Sequence, residues 1–253
     1  MATVLPPDPL PRPLLLRLRL REVYRSAGWP ARDALEIELL AAGLLERVDG
    51  GDGRETVRVT DAGVGRLAVA LQRNRAAFDA HAALVERVVL EMQRAGRIVW
   101  RELALRARVD EAWVVARPDV YSIRHTSREA WLAPQVHEVK VSRADLLADL
   151  RRPAKRAAYL QMAGACTYVL AEGIGEPDEL PADCGVLVAR RRADGPGWDR
   201  LESLRAAPQR PLALPFGAWI ALARATPAAA ALDEAQAALG APVDDDPAAP
   251  APL

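Results

Sequence analysis

The chain has 253 residues, 51% of them hydrophobic, and 34 basic groups balance 34 acidic ones. That length allows one large domain or two smaller ones, and the zero formal charge is that of an ordinary soluble protein. No apolar run approaches a membrane span, since arginines interrupt PLLLRLRLRE, and the prolines and acid before it do not make the basic start of a signal peptide. The two cysteines, Cys166 and Cys184, are expected as buried or half-buried free thiols in a reducing cytoplasm.

Residues 1–13 read as a stiff proline-rich leader. In LLLRLRLREVYRSAG a helical stripe of Leu16, Leu20, Val23, Tyr24 and Ala27 ends at Gly28. ALEIELLAAGLLERV predicts a second helix running into a strand from Leu45 to Val48. The glycine-rich tip of GGDGRETVRVT then turns the chain into a strand from Thr56 to Thr60, and Thr60-Asp61-Ala62-Gly63 opens a further helix. This order resembles a winged-helix domain over residues 14–72, without the middle helix of that fold. The helix in the recognition position carries Asp33, Glu36 and Glu38 against Arg32, and residues 1–72 hold ten basic and ten acidic groups. Phosphate attraction needs Lys or Arg, so the module is expected to contact protein or act as a scaffold rather than read DNA sequence, with Arg47, Arg54 and Arg58 left for backbone contact.

Residues 73–95 predict a helix with Leu84, Val88 and Met92 facing inward. Beyond it, ARPDVYSIR and PQVHEVKVS read as β-branched strands around the polar turn His125–Glu129. Lys140 is one of only two lysines in the chain, with Lys155, and it closes Glu138-Val139-Lys140. Strand alternation puts Glu138 and Lys140 on one face and turns His137 away from it. A hairpin pairing of the two strands brings Asp119 to the Glu138 face. Two carboxylates and an ammonium converging at a sheet edge suit divalent-metal hydrolysis of a phosphodiester: hard oxygens hold Mg²⁺, the metal activates a bound water, and the ammonium orients that water or offsets developing charge. The plainer alternative is a Glu-Lys pair on an exposed strand with Asp119 in a turn.

From Val139 to Ala163 six cations, Lys140, Arg143, Arg151, Arg152, Lys155 and Arg156, stand against Asp145 and Asp149, a local balance of plus four. Such a cluster attracts nucleic-acid phosphate. Pro153 is expected to split the stretch into two helices, because it cannot continue the hydrogen-bond ladder. Lys155, Tyr159 and Gln161 then stand ready to bind phosphate or a base, or belong to a solvated amphipathic helix; Asp145 and Asp149 are open to pairing with Arg152 or Arg156.

Pro118-Asp119, Glu138-x-Lys140 and the helix carrying Asp145 and Asp149 resemble the PD-(D/E)xK nuclease superfamily. Within it, EVKVSRADLLADL followed by TYVLAE is similar to the small bacterial MmcB-like DNA-repair group. The resemblance covers about residues 80–225. It implies a restriction-endonuclease-like α/β core, a mixed sheet flanked by helices, with Asp119 and Glu138 as ligands of Mg²⁺ or Mn²⁺ and Lys140 near the nucleophile. It also implies a further acid on the preceding helix, for which Glu86 is the preferred match ahead of Glu91 and Glu102; the plainer alternative for all three is a solvated or ion-paired surface acid. One departure is RARVDEAWVV, which lengthens the connection before the Asp119 strand.

The remainder predicts strands Cys166–Glu172 and Gly185–Ala189, a solvated strand end at Arg190–Arg192, a closing helix in PFGAWIALARA, and an Ala/Pro-rich acidic tail over 227–253. The domains expected are thus 1–13, 14–72, 73–226 and 227–253. The function expected is a metal-dependent nuclease-like DNA-repair protein with catalytic Asp119, Glu138 and Lys140, metal ligands Asp119, Glu138 and Glu86, and nucleic-acid contacts from Lys155, Arg143, Arg152, Arg156, Tyr159 and Gln161. Its partner is nucleic acid, taken as DNA, with a protein partner for the winged module and no membrane. The alternative is a catalytically inactive nuclease-fold module that binds DNA or protein.

Overall fold

The computed structural model describes residues 12–26, 28–50, 54–195 and 197–229. The leader, the wing tip at 51–53 and the tail from 230 lie outside the described residues. The chain divides into two compact units, Met1–Ala76 and Ala77–Leu253.

The first unit contains α1 (Arg12–Arg25), α2 (Ala34–Ala41), the antiparallel pair β1 (Leu45–Asp49) and β2 (Glu55–Val59), and the start of α3 (Asp61–Arg94). Leu20, Val23, Leu39, Leu45 and Val57 form its core. The acids in and before α2 serve the fold. Asp33 caps α2 by accepting the Glu36 N–H at 2.9 Å, and the fully buried Glu36 accepts the Ala31 and Arg32 N–H groups at 2.5 and 3.1 Å. Glu38 pairs with Arg12 at 2.6 Å. Gly28 sits at φ +78° with Val57 O only 2.4 Å from where a Cβ would stand, so this close approach requires glycine.

Helix α3 is continuous for 34 residues, where two helices were expected, because no residue between Asp61 and Arg94 breaks the ladder after the two early glycines. The division consequently falls inside α3, at Ala76, rather than at residue 72.

The second unit is built on a six-stranded mixed sheet in the order β10-β9-β8-β7-β6-β3, with β3 (Arg97–Arg101), β6 (Val120–Arg124), β7 (Gln135–Lys140), β8 (Ala165–Ala171), β9 (Gly185–Arg191) and β10 (Trp198–Arg205). β7, β8 and β9 are parallel neighbours; the other pairs are antiparallel. The α/β class read from the sequence is the class observed. α4 (Arg143–Leu150) and α5 (Pro153–Met162) carry the chain from β7 to β8, and Pro153 occupies the first turn of α5, where its missing N–H costs nothing. On one face Leu84, Val88 and Val89 of α3 pack on Val99, Val120, Val139 and Val169. On the other, Tyr159 and Met162 of α5 and Leu146 of α4 pack with Tyr121, Val136 and Tyr168.

RARVDEAWVV is not a stretched loop. It forms the hairpin β4 (Leu105–Val109) and β5 (Ala112–Ala116), turned through Asp110 and Glu111 with φ of 46° and 66°, the paired left-handed conformation of a two-residue hairpin turn. β10 was not foreseen. Its register against β9 shifts twice, and those irregularities break the period-two pattern that marks a strand. α6 (Phe216–Arg224) closes the unit, and the chain beyond it stays engaged: Ala228 N–H donates to Val99 O at 2.7 Å, so residues 227–229 belong with the sheet rather than with a tail.

Candidate active site

Glu138 and Lys140 lie on the central strand β7, buried with 2% and 5% exposure. Their face is the one covered by α4 and α5, while Val139 between them points toward α3. β6 pairs with β7 through Val120 and His137, and continuing that register sets Asp119 opposite Glu138. Asp119 stands at the bend just before β6, and its Oδ2 accepts the Val139 N–H at 2.7 Å. Its Oδ1 lies 3.4 Å from His81 Nε2 on α3.

Glu138 is surrounded by donors. Oε1 accepts from Lys140 Nζ at 2.8 Å and Lys155 Nζ at 2.5 Å, and Oε2 accepts from Tyr159 Oη at 2.8 Å. Lys155 and Tyr159 are four residues apart on α5, which places both on one helix face above the strand. Lys155 also donates to Asp149 Oδ1 at 2.8 Å, and Tyr168 Oη, from the residue paired with Glu138 on β8, donates to Asp149 Oδ2 at 2.9 Å. Lys140 Nζ reaches Asp145 at 3.4 Å and Asp149 at 3.7 Å. Three carboxylates, Glu138, Asp145 and Asp149, thus face two ammonium groups, while Asp119 is held apart by His81 and the Val139 N–H.

Burial alone would lower the Lys140 pKa, yet the carboxylates of Glu138, Asp149 and Asp145 outweigh it and hold the ammonium more basic than usual. Lys155 is raised by the same opposition, burial against Glu138 and Asp149. Burial would raise Asp149, but Lys155, Lys140 and Tyr168 keep it below the usual carboxylate range. The hydrogen bond to Asp119 raises His81. Burial raises Tyr159, and the adjacent Glu138 adds to the shift. Both lysines are accordingly charged and the two tyrosines are hydrogen-bond donors.

The structure brings Asp119, Glu138, Lys140, Lys155 and Tyr159 together. Glu86 stands apart, its carboxylate forked on the Arg101 guanidinium at 2.7 and 2.5 Å. The remaining expected nucleic-acid contacts are mostly spent elsewhere: Arg143 is forked on Glu179 at 2.6 and 2.5 Å, Arg156 lies 3.9 Å from Asp183, and Gln161 donates to Arg108 O at 2.9 Å. Arg152 precedes α5 as its exposed N-cap. The local surplus of four positive charges is thereby reduced by carboxylates from other segments. Asp145 and Asp149 pair with the lysines, not with Arg152 or Arg156. His81 and Tyr168 were not picked out from sequence, and Asp149 was named there on its helix but not among the site residues. His81 was open to discovery, because it precedes the inward-facing Leu84 and Val88 by three and seven residues and so shares their face; Glu86 lies off that stripe.

Carboxylate oxygens are the hard donors that divalent cations take, and here they come from Glu138 on β7, from Asp119 in the bend before β6, and from Asp145 and Asp149 on α4. The present arrangement is the self-paired form. Both Glu138 oxygens are taken, and among the described residues no group of three or more His, Cys, Asp or Glu side chains is poised around an ion. Lys155 is the more exposed of the two lysines, its side chain 26% exposed against 6% for Lys140.

No family model matches this chain, and no curated protein does. Among solved structures it is similar to the SPO1766 protein of unknown function from Silicibacter pomeroyi, at 24% identity and a TM-score of 0.38, over 61% of this chain and 86% of that one. Among the described residues no helix is long and apolar enough to cross a membrane.

Proposed function

We propose that the second unit hydrolyses nucleic-acid phosphodiester bonds with Mg²⁺ or Mn²⁺, with DNA as its substrate. The observation that carries this reading is the Glu138–Lys140 pair on β7 with Asp119 bonded to the N–H of Val139 between them. Asp119 and Glu138 would hold the cation. When bound, it would polarise the phosphoryl group and lower the pKa of a bound water. Lys140 keeps a fixed positive charge beside the place where negative charge develops, and its burial in a low-dielectric site strengthens that effect. Tyr159 fixes the Glu138 carboxylate plane, and His81 fixes Asp119.

The second reading is a non-catalytic nuclease-fold module, favoured by the saturation of Glu138 by Lys140, Lys155 and Tyr159. Titration calorimetry with Mn²⁺, paired with cleavage of plasmid and branched DNA, separates the two. Binding that is lost in Asp119→Asn together with divalent-dependent cleavage supports the enzyme. An intact fold that takes up no cation and cuts no substrate leaves the binding module. DNA repair as the setting, and a protein partner for the first unit, remain parts of the proposal.

A further inference from the structure

The hairpin β4–β5 and helix α6 enclose a groove of about 780 Å³ whose walls include Leu103, Trp113, Phe216 and Ile220. Trp113 and Phe216 are 70% and 78% exposed, a large apolar outlay for a surface with no covering element among the described residues. The lining contains two arginines, Arg106 and Arg224, and no acid. Neither guanidinium has a carboxylate partner among the described residues, unlike Arg101 and Arg108 on either side of Arg106 in the chain. A ligand that fills this groove must therefore bring negative charge for the arginines and flat apolar faces for the rings.

We propose that this groove binds a single-stranded segment of nucleic acid, its bases stacked on Trp113 and Phe216 and its phosphates held by Arg106 and Arg224. Stacking on exposed rings needs bases that are free of a duplex, and a strand supplies phosphates at the spacing of its bases. The groove is joined to the candidate active site by packed elements. β5 ends at Ala116, three residues before Asp119, and α5, which carries Lys155 and Tyr159, packs on both strands of the hairpin and bonds Arg108 O through Gln161. The choice of nucleic acid over an acidic peptide rests on the phosphodiester reading of that site.

The test is fluorescence anisotropy of labelled 20-mer oligo-dT and oligo-rU with the full chain in EDTA, so that no cleavage enters the measurement. Trp113→Ala with Phe216→Ala is expected to weaken binding about tenfold or more. Arg106→Ala with Arg224→Ala should weaken it as well and flatten its dependence on salt. All four substituted groove side chains are exposed, so thermal melting should be unchanged and serves as the fold control. The two oligonucleotides distinguish DNA from RNA by their relative affinity. Affinity that is the same in the groove variants overturns the proposal, as does tighter binding of an acidic peptide, or a concentration-dependent dimer that the aromatic substitutions abolish. Failure of cleavage with groove-dependent binding intact would remove the hydrolase reading and leave the groove standing.

Discussion

Replacing Lys140 separates charge from shape at the candidate site. Its ammonium is 2.8 Å from Glu138 and within 3.4 and 3.7 Å of two more carboxylates, on a side chain 6% exposed. Lys140→Arg keeps the charge but forces a longer, planar group into a closed space, where overpacking typically costs about 1–3 kcal/mol. Lys140→Met keeps the length and removes the charge. It leaves Glu138 with Lys155 and Tyr159, so the expected cost is near the lower end of the roughly 3–5 kcal/mol seen when one member of a buried pair is deleted. Cleavage under the proposed mechanism should fall about 100-fold or more in both, because stabilisation of developing charge depends on a preorganised donor. Urea unfolding gives the stabilities, and divalent-dependent plasmid nicking gives the rates. A Lys140→Arg protein that nicks DNA at the unaltered rate would refute the catalytic assignment, and a Lys140→Met protein as stable as the parent would refute the burial argument.

Other sites give shorter tests. Tyr159→Phe removes the donor to buried Glu138 Oε2 and should cost about 1–3 kcal/mol in urea unfolding. His137 is buried, and burial lowers its pKa to about 4. The unfolded ring takes a proton below about 6.5 while the folded ring does not, so stability should fall by roughly 3 kcal/mol as pH drops from about 6.5 to 4; His137→Gln should remove that component, seen as a smaller difference between urea midpoints at pH 7 and 4.5. Arg47 and Arg58 are paired with Glu55 at 3.0 Å and Glu46 at 2.7 Å, so replacing both by Ala should leave duplex affinity of the full chain, measured by anisotropy, unchanged within about twofold. Gly28→Ala should lower the thermal midpoint of the first unit, since the added Cβ meets Val57 O at 2.4 Å in a left-handed conformation.

The parts of the fold legible from sequence were those with strict periodicity or a local stop. Alternation in Gln135-Val136-His137-Glu138-Val139-Lys140 placed Glu138 and Lys140 on one face, and Pro153 marked the break between α4 and α5. β10 was hidden because its register shifts erase alternation, and the hairpin β4–β5 because Asp-Glu is an unusual pair for two left-handed positions. At the site, the pairing of Asp119 with the Glu138 strand followed from local order. The partners of Asp149 did not, since its bond to Tyr168 joins α4 to β8 across an intervening helix, and no spacing rule reports such a contact. Net charge misled for the same reason: Arg143 and Arg156 were counted as free, but Glu179 and Asp183 come from a loop far along the chain.

The ion pairs of this site also explain how the cluster persists with its charges buried. An isolated Glu138 at 2% exposure would be costly, and the compensation comes from Lys140 on its own strand and from Lys155 and Tyr159 on α5. Lys140 is fixed by the strand and is shielded from solvent, so its charge belongs to the fold. Lys155 sits on α5 at the mouth, bridging Glu138 to Asp149, and is the more exposed of the two lysines. Of the donors to Glu138, Lys155 is the one whose loss leaves the buried network least disturbed, because Tyr159 and Lys140 still satisfy the carboxylate and Tyr168 still holds Asp149. The same residue would then be free to meet a phosphate, which links the self-paired form of the site to the charge it could offer a substrate.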